Sequence, residues 1–300
     1  MRRWIAVLAV AGAVGLGVSG CGAPGGADGN LVDDWAAMGE PTLFTPEART
    51  CHPGSFAETV YLSSYFPVDC SASHQVETIH VGTFTGSLDA TTPPAAGSAP
   101  RRAAYAECDR QARSFLGADW RVARLWLGVA IPSERAWLAG ARWFRCDLVE
   151  VIEVEENGLP TSRTGSLEGA LRSPGPLHLT CYAATVDRNR QVDRMPAVDC
   201  DKPHNSEFAG VWQAPEDLGY PDEERDWQAF FDGCYGVVAR YVEVPHSSVR
   251  FRTAVVALPA RPDDWKAGDR GVRCYLWSSD RRLTRSLKGA GPDGLPIRTG

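Results

Sequence analysis

The strongest constraint on this chain is a pattern of cysteines that occurs twice. In each half, a cysteine is followed 19 residues later by the cysteine of a V-D-C-x-x-x-H-x-x-E string, which spans 68–77 and 198–207. Two further cysteines follow each string, and W-x-A-G-x-R-x-x-R-C and S-L-x-G-A also occur once per half. The repeated cysteines are offset by 126 to 130 residues and the S-L-x-G-A strings by 120, which is the size of an ordinary domain. The chain is therefore an internal duplication, and we expect both halves to fold alike.

The spacing of apolar residues predicts the same elements in each repeat. Alternation of apolar and polar residues indicates strands, and a 3.6-residue period indicates a helix. In the first repeat the predicted strands are 59–68, 76–84, 125–131 and 143–154, and the predicted helix is 103–116, with Gly117 as its cap. In the second, the helix is 227–241 and the strand after it is 251–257. The predicted fold class is α+β, with two homologous disulfide-stapled repeats, each a small antiparallel sheet with one packed helix.

Domain boundaries follow from the repeats. We expect the first repeat to span 41–170 and the second to span 171–290. Residues 291–300 are rich in Gly and Pro, which predicts a disordered tail. Residues 21–40 are rich in Gly, Ala and Asp and show no apolar period, so we expect a flexible tether.

Residues 1–20 have the composition of a bacterial lipoprotein signal peptide. Arg2 and Arg3 precede an apolar stretch that is short for a permanent membrane span. The V-S-G-C string that ends at Cys21 matches a lipobox, so Cys21 is predicted to be acylated, palmitate included. An ordinary secretory signal is the alternative. Two or more acyl chains would hold the protein on the extracytoplasmic face of the cell membrane.

Eight of the nine cysteines remain after Cys21, four in each repeat. An exported protein keeps disulfides, but four cysteines allow three pairings, and the sequence does not choose among them. The duplication argues for pairing within a repeat. We favour a helix–strand bridge because Cys108 falls on the apolar helix face and Cys146 on a strand that the helix would cover. The favoured pairs are Cys51–Cys70, Cys108–Cys146, Cys181–Cys200 and Cys234–Cys274. No C-x-x-C occurs, so neither a cysteine metal site nor any other cofactor is expected.

The repeated polar residues are the sharpest candidates for a site, namely Asp69, His74 and Glu77 with their counterparts Asp199, His204 and Glu207. A histidine with two carboxylates is a usable metal or acid–base set. On one strand, however, a spacing of three puts His204 and Glu207 on opposite faces. The interpretation we favour is a turn behind the disulfide. There, Asp199 or His204 would bond backbone groups, and Glu207 would face solvent or pair with an arginine.

Trp137 and Trp265 are the second candidates, since each precedes an A-G turn and an arginine, Arg142 or Arg270. Such a pair suits a surface for carbohydrate or peptide, but a tryptophan at this place is more often a core plug. The sequence contains none of the usual nucleophile or phosphate-binding motifs, so no catalytic residues are predicted. The net charge of −6 argues against a nucleic-acid binder.

A cysteine, V-D-C-x-x-P-H-x-x-E, a helix cysteine and then W-x-x-G-x-R-x-x-x-C together resemble the septum formation family of high-GC Gram-positive bacteria. The second repeat fits best, at Asp199, Cys200, Pro203, His204, Glu207, Trp265, Gly268 and Cys274. The first repeat departs at Ser73, where the pattern has proline. The resemblance covers most of 45–290, as two tandem copies. It implies an exported or membrane-attached protein of division septum or envelope assembly, and it assigns no reaction.

The expected function is therefore a lipid-anchored envelope protein that acts as a non-catalytic binding module. Its partner would be an envelope protein or a cell-wall polymer. One alternative is a cell-wall-directed enzyme or a metal-binding protein that uses the repeated Asp, His and Glu residues. A second alternative is a passive structural lipoprotein.

Overall fold

The computed structural model describes residues 43–154, 158–188, 192–279 and 282–298. The predicted signal peptide, the predicted tether and Cys21 lie outside these ranges. Leu43–Gly300 form one compact unit that holds both repeats. Within the described ranges, no helix has the length and apolar character needed to cross a bilayer.

The first repeat contains five strands and two helices. They are β1 (Thr50–His52), β2 (Thr59–Val60), β3 (Val76–Thr83), α1 (Ala99–Leu116), β4 (Leu125–Pro132), α2 (Glu134–Leu138) and β5 (Trp143–Glu150). The predicted helix thus begins four residues early, with Pro100 in its first turn, where proline costs no hydrogen bond. It ends at Gly117, whose φ of 88° is the left-handed conformation of a glycine cap.

The second repeat carries the same core elements and additional short ones. They are β6 (Cys181–Tyr182), β7 (Thr185–Val186), β8 (Val192–Arg194), β9 (Ala197–Val198), β10 (Ser206–Gln213), α3 (Trp227–Val242), α4 (His246–Val249), β11 (Ala254–Leu258), α5 (Pro262–Ala267), β12 (Gly271–Trp277) and α6 (Gly291–Gly294). The tryptophan-containing turn predicted in each half is a short helix, α2 or α5.

The two main sheets share the order of their four core strands, which confirms the α+β class and matches the duplication. The first is β1-β3-β5-β4-β2 and the second is β9-β6-β10-β12-β11. The shared core is β1-β3-β5-β4 against β6-β10-β12-β11, all antiparallel. The sheets differ at their edges, because β2 adds in parallel to β4 and β9 adds to β6.

One helix packs on one face of each sheet, and a disulfide joins the two layers. Cys108 of α1 is bonded to Cys146 of β5, and Cys234 of α3 is bonded to Cys274 of β12. All four residues have no exposed surface. The other two disulfides, Cys51–Cys70 and Cys181–Cys200, join the first strand of each repeat to the V-D-C turn. These are the four pairs favoured from the sequence.

Two predicted segments differ in the structure. The predicted strand 59–68 is a strand only at β2, and a 3-10 turn follows at Leu62–Ser64, where the Ser64 hydroxyl donates to the Tyr61 carbonyl. Tyr61, Leu62 and Phe66 are exposed, so this stretch has no packing that would extend the strand.

The prediction of a disordered tail over 291–300 is wrong for 291–298. Leu295 is fully buried in the core of the second repeat, and the Arg298 amide donates to the Phe251 carbonyl at 2.8 Å. The buried Leu295 and this backbone hydrogen bond hold residues 291–298 in place, although their composition alone indicates a loop.

The two repeats are joined through a buried arginine. Arg121 follows α1 and is 2% exposed, and its guanidinium binds Asp269 of the second repeat, with Nη2–Oδ1 at 2.6 Å. The same guanidinium also binds Asp109 at 2.6 Å. In return, Arg273 of β12 donates to the carbonyls of Arg121 and Leu125, at 3.0 Å each. Charge-assisted bonds therefore cross the junction in both directions.

Candidate functional site

The repeated histidine and glutamate form a buried cluster at the start of β3 in the first repeat and at the start of β10 in the second. His204 lies just before β10, in an isolated antiparallel bridge with Leu283, and Glu207 is the second residue of β10. His204 is 1% exposed and Glu207 is 0% exposed. The cluster is therefore interior rather than a surface feature.

His204 and Glu207 are in direct contact, contrary to the expectation from strand parity. The His204 Nε2 atom lies 3.1 Å from Glu207 Oε1, while Nδ1 lies 2.7 Å from the Lys202 carbonyl. Parity fails here because His204 precedes the strand, so the alternation of faces has not yet begun. The expectation that Glu207 faces solvent or pairs with an arginine is also wrong.

Glu207 is the acceptor for three groups distant in the sequence. Tyr241 of α3 donates at 2.7 Å, the Ser286 hydroxyl donates at 2.8 Å, and the Leu287 amide donates at 2.9 Å. Burial and the neighbouring carboxylate raise the pKa of Tyr241 well above its ordinary value, so it remains a donor at neutral pH. The carboxylate thus holds the S-L-x-G-A segment against both the helix and the strand.

The first repeat builds a similar arrangement that differs at the histidine and at the helix. Glu77 accepts from the Ser166 hydroxyl at 2.5 Å and from the Leu167 amide at 2.7 Å. His74 Nδ1 lies 2.8 Å from the Ala72 carbonyl, but its Nε2 has no hydrogen-bond partner among the described residues. Phe115 occupies the aligned position of Tyr241, so the first cluster has no phenol donor there.

Asp69 and Asp199 do not belong to either cluster. Both are exposed. Asp69 directly follows the bridge of Val68 with Cys51 and accepts from the Ser71 amide at 2.8 Å, and Asp199 directly follows β9. That backbone bond lowers the pKa of the Asp69 carboxyl. The Asp-His-Glu set is therefore split into an exposed turn carboxylate and a buried His–Glu pair.

A sulfur atom completes each buried cluster. Ligand atoms of Cys51, His74 and Glu77 lie within 4.8 Å of one another, and those of Cys181, His204 and Glu207 do the same. In both repeats the cysteine is bonded to its partner, Cys70 or Cys200. A disulfide sulfur is not a thiolate, so the closed form offers a metal only the histidine and the carboxylate.

The repeated tryptophans occupy the core-plug position. Trp137 is fully buried and Trp265 is 3% exposed. Arg142 stacks over the Trp137 ring at 4.0 Å, and Arg270 stacks over the Trp265 ring at 4.5 Å. Each arginine therefore covers its indole, and no open tryptophan platform exists at these two positions.

A second buried polar cluster lies in the first sheet and is not repeated. Thr78 donates to Asp147 at 2.8 Å, Arg145 binds the same carboxylate at 2.7 Å, and His52 Nε2 lies 3.1 Å from the Thr78 hydroxyl. Burial, then the charge of Arg145, lowers the pKa of His52 to about 4. In the second sheet, Tyr182, Phe208 and Tyr275 occupy the aligned positions and pack as aromatic neighbours.

Two open clefts lie on the second repeat. One, of about 310 Å³, is lined by Phe231 and Tyr235 of α3, by Arg250, and by the start of β11. The Arg250 guanidinium lies 5.3 Å from the Tyr235 ring centre. The other, of about 360 Å³, lies beside His204, Asn205, Thr185 and Arg282.

Sequence reasoning missed the partners of the His–Glu pair. Tyr241, Ser286 and Ser166 were not among the candidates, although S-L-x-G-A occurs in both halves. S-L-x-G-A recurs together with V-D-C-x-x-x-H-x-x-E. Two motifs that recur together in a duplication are candidates for contact with each other, because a contact that is present in both repeats needs both of its partner segments in each.

A protein-family model described as septum formation matches residues 48–274. The match is one stretch that runs through both repeats, so two tandem copies of that model are not confirmed. No curated protein and no solved structure matches the chain.

Proposed function

Because the chain belongs to the septum formation family, with a septum-related role, we propose that it is a lipid-anchored, extracytoplasmic binding module. In this proposal Cys21 carries the lipid anchor, and the two repeats form one rigid body that binds an envelope protein or cell-wall polymer. The module performs no catalysis.

The observation that carries the proposal is the burial of both His–Glu pairs. A catalytic acid or base must come within hydrogen-bonding reach of its substrate. His74, Glu77, His204 and Glu207 are between 0% and 2% exposed, and both carboxylates accept hydrogen bonds from the closing segments. Their arrangement supports a scaffold over the alternative of a wall-directed enzyme that uses these residues.

The cleft between α3 and β11 is the best candidate for the binding surface. Phe231 and Tyr235 supply aromatic area, and Arg250 supplies a cation held at 3.0 Å by Asp232. Aromatic residues and arginine are the residue types most enriched in protein interfaces. We therefore place the partner at this cleft.

Two measurements test the proposal. First, Cys21→Ser is expected to move the protein from the membrane fraction to the soluble fraction, and retention at the membrane contradicts the anchor. Second, a photocrosslinking residue at Tyr235 is expected to capture one repeatable envelope component in cells, while the same probe at exposed Arg194 is expected to capture none. Equal labelling from both positions contradicts the cleft as binding surface.

A further inference from the structure

The four disulfides fall into two groups by exposure. Cys108–Cys146 and Cys234–Cys274 lie between helix and sheet, with both residues of each pair fully buried. In Cys51–Cys70 the second cysteine is partly exposed, and in Cys181–Cys200 likewise. Thiol–disulfide exchange requires access to a sulfur atom. A small thiol therefore reaches the two turn disulfides before it reaches the core ones.

The buried end of the turn disulfide lies among metal-binding side chains. Cys51 Sγ, a ring nitrogen of His74 and a carboxylate oxygen of Glu77 are mutually within 4.8 Å. Cys70 Sγ is bonded to Cys51 Sγ and is therefore one bond length from this group of atoms. Two sulfurs, an imidazole and a carboxylate are the ligand types that zinc takes in four-coordinate sites.

His74 is oriented as metal-binding histidines are. Its Nδ1 is engaged by the Ala72 carbonyl at 2.8 Å, which directs Nε2 toward the interior. A backbone carbonyl on the other ring nitrogen is the usual outer contact of a histidine ligand. The Nε2 atom is buried and has no partner among the described residues, so its lone pair is available.

We propose that reduction of Cys51–Cys70 opens a zinc site in the first repeat. The ligands are the thiolates of Cys51 and Cys70, Nε2 of His74 and the carboxylate of Glu77. The site goes beyond the proposed binding function and does not depend on it.

The chemistry balances with a small thiol as the reductant. Two equivalents of the thiol cleave the sulfur–sulfur bond, which yields two protein thiols and the oxidised form of the reductant. Zinc then binds as the two thiols release two protons. Reoxidation by a disulfide oxidant, which is itself reduced to two thiols as the sulfur–sulfur bond of Cys51 and Cys70 forms again, expels the ion. The site therefore couples zinc binding to the thiol–disulfide state of Cys51 and Cys70.

The second repeat is a weaker site for a stated reason. His204 Nε2 is already 3.1 Å from Glu207 Oε1, and Glu207 also accepts from Tyr241. The bonds from the closing serine and the next amide are common to both carboxylates, and Glu77 in addition has Arg163 Nη1 at 4.0 Å. A metal at Cys181 and Cys200 would have to displace the histidine–carboxylate contact. The two repeats thus provide a matched comparison inside one chain.

The test uses the full chain with Cys21→Ser in detergent, so that only the eight disulfide cysteines count. Mild thiol treatment followed by alkylation mapping identifies which cysteines are free. Cobalt is added as a probe, because thiolate ligation gives a sulfur-to-cobalt charge-transfer band, and zinc is titrated against a chromophoric chelator. We expect one ion per chain in the reduced protein and none in the oxidised protein.

Matched variants assign the site. His74→Gln is expected to weaken zinc binding by about tenfold or more, and His204→Gln is expected to leave it unchanged. If His74→Gln fails to fold, Cys70→Ser decides instead, because it removes one ligand and must bind zinc more weakly than the reduced parent. A reduced protein without the charge-transfer band overturns the proposal. Equal affinity in the His74 and His204 variants, or in Cys70→Ser and the parent, overturns it as well.

Discussion

Ser286 and Glu207 are 79 residues apart in the sequence and meet at 2.8 Å inside the second repeat. The first repeat contains the same relationship between Ser166 and Glu77. In each case one carboxylate, on the strand that follows the V-D-C turn, binds the hydroxyl and the next backbone amide of the closing segment. The repeat is therefore closed by a single buried acceptor.

Replacing that acceptor is expected to destabilise the second repeat. Glu207→Gln keeps the shape of the side chain but removes its charge, which weakens three charge-assisted hydrogen bonds. It also places the NH2 group of the glutamine amide against a group that is itself a hydrogen-bond donor. We expect a loss of about 2–4 kcal/mol in the free energy of unfolding. Urea denaturation followed by tryptophan fluorescence measures it.

The control for this change is Glu224→Gln, on an exposed 3-10 turn. It removes the same charge without touching a buried contact, and its effect is expected to stay within about 0.5 kcal/mol. Equal losses in the two variants would show that Glu207 does not close the repeat.

The junction between repeats is expected to depend on Arg121. Its guanidinium is buried against Asp269, so Asp269→Ala leaves an incompletely compensated charge in the interior. Removal of one partner from a buried pair costs about 3–5 kcal/mol. The exposed pair of Arg194 and Asp193 serves as the reference, and Asp193→Ala is expected to cost about 1 kcal/mol or less.

A double-mutant cycle separates the pair from its surroundings. The double variant with Arg121→Met and Asp269→Ala is expected to lose less stability than the sum of the single changes. The reason is that Asp269→Ala removes the carboxylate that Arg121→Met leaves without its partner. Strict additivity of the two changes would contradict a direct coupling across the junction.

Gly271 is expected to tolerate no side chain. A Cβ atom added there would lie 2.2 Å from Cδ and Nε of Arg121, which is inside van der Waals contact. Gly271→Ala must therefore displace the arginine from Asp269. We expect a cost of about 1–3 kcal/mol, measured by thermal unfolding. Gly219→Ala, where nothing lies within 4 Å, is the matched control, and a similar cost there would refute the clash.

Acid is expected to destabilise the first repeat through His52. Its pKa is about 4 in the folded protein against an ordinary 6.5, so the unfolded chain binds more protons between these values. Stability from this group is fully present above 6.5 and is lost as the pH falls toward 4. Unfolding free energies measured across this range in the parent and in His52→Asn isolate the effect. Parallel pH profiles for the two proteins would contradict it.

Much of the fold follows from local patterns. The period of α1 and α3, the cap at Gly117 and the alternation in β4 lie in consecutive residues, so the sequence is enough to place them. The disulfide pairs of the structure are the ones that the sequence favours without deciding, because duplication argues for pairing within a repeat and helix periodicity puts Cys108 on the inner face. The ends of strands are harder to predict. The predicted strand 59–68 is a strand only at β2, because the length of an edge strand depends on how much of it pairs with a neighbouring strand.

The site is different, because its geometry depends on contacts between distant segments. Strand parity predicts that His204 and Glu207 lie on opposite faces. The backbone is not yet a strand at His204, however, and its imidazole ring contacts the Glu207 carboxylate. The partners Tyr241 and Ser286 come from a helix and from the closing segment, and no local pattern relates them to Glu207.

The duplication, the α+β class and the cysteine frame can be read from the residues alone, because their spacings recur within a few residues or at offsets of 120 to 130. Long-range packing is needed to show that the repeated carboxylate is an interior clamp and that the two repeats share a buried Arg121–Asp269 bridge. It is also needed to show that His74 Nε2 has no partner among the described residues, whereas His204 Nε2 has one. Those contacts depend on which groups from distant parts of the sequence reach the same buried polar atom. Inside the protein no bulk water replaces a missing hydrogen-bond partner, so each such group affects stability.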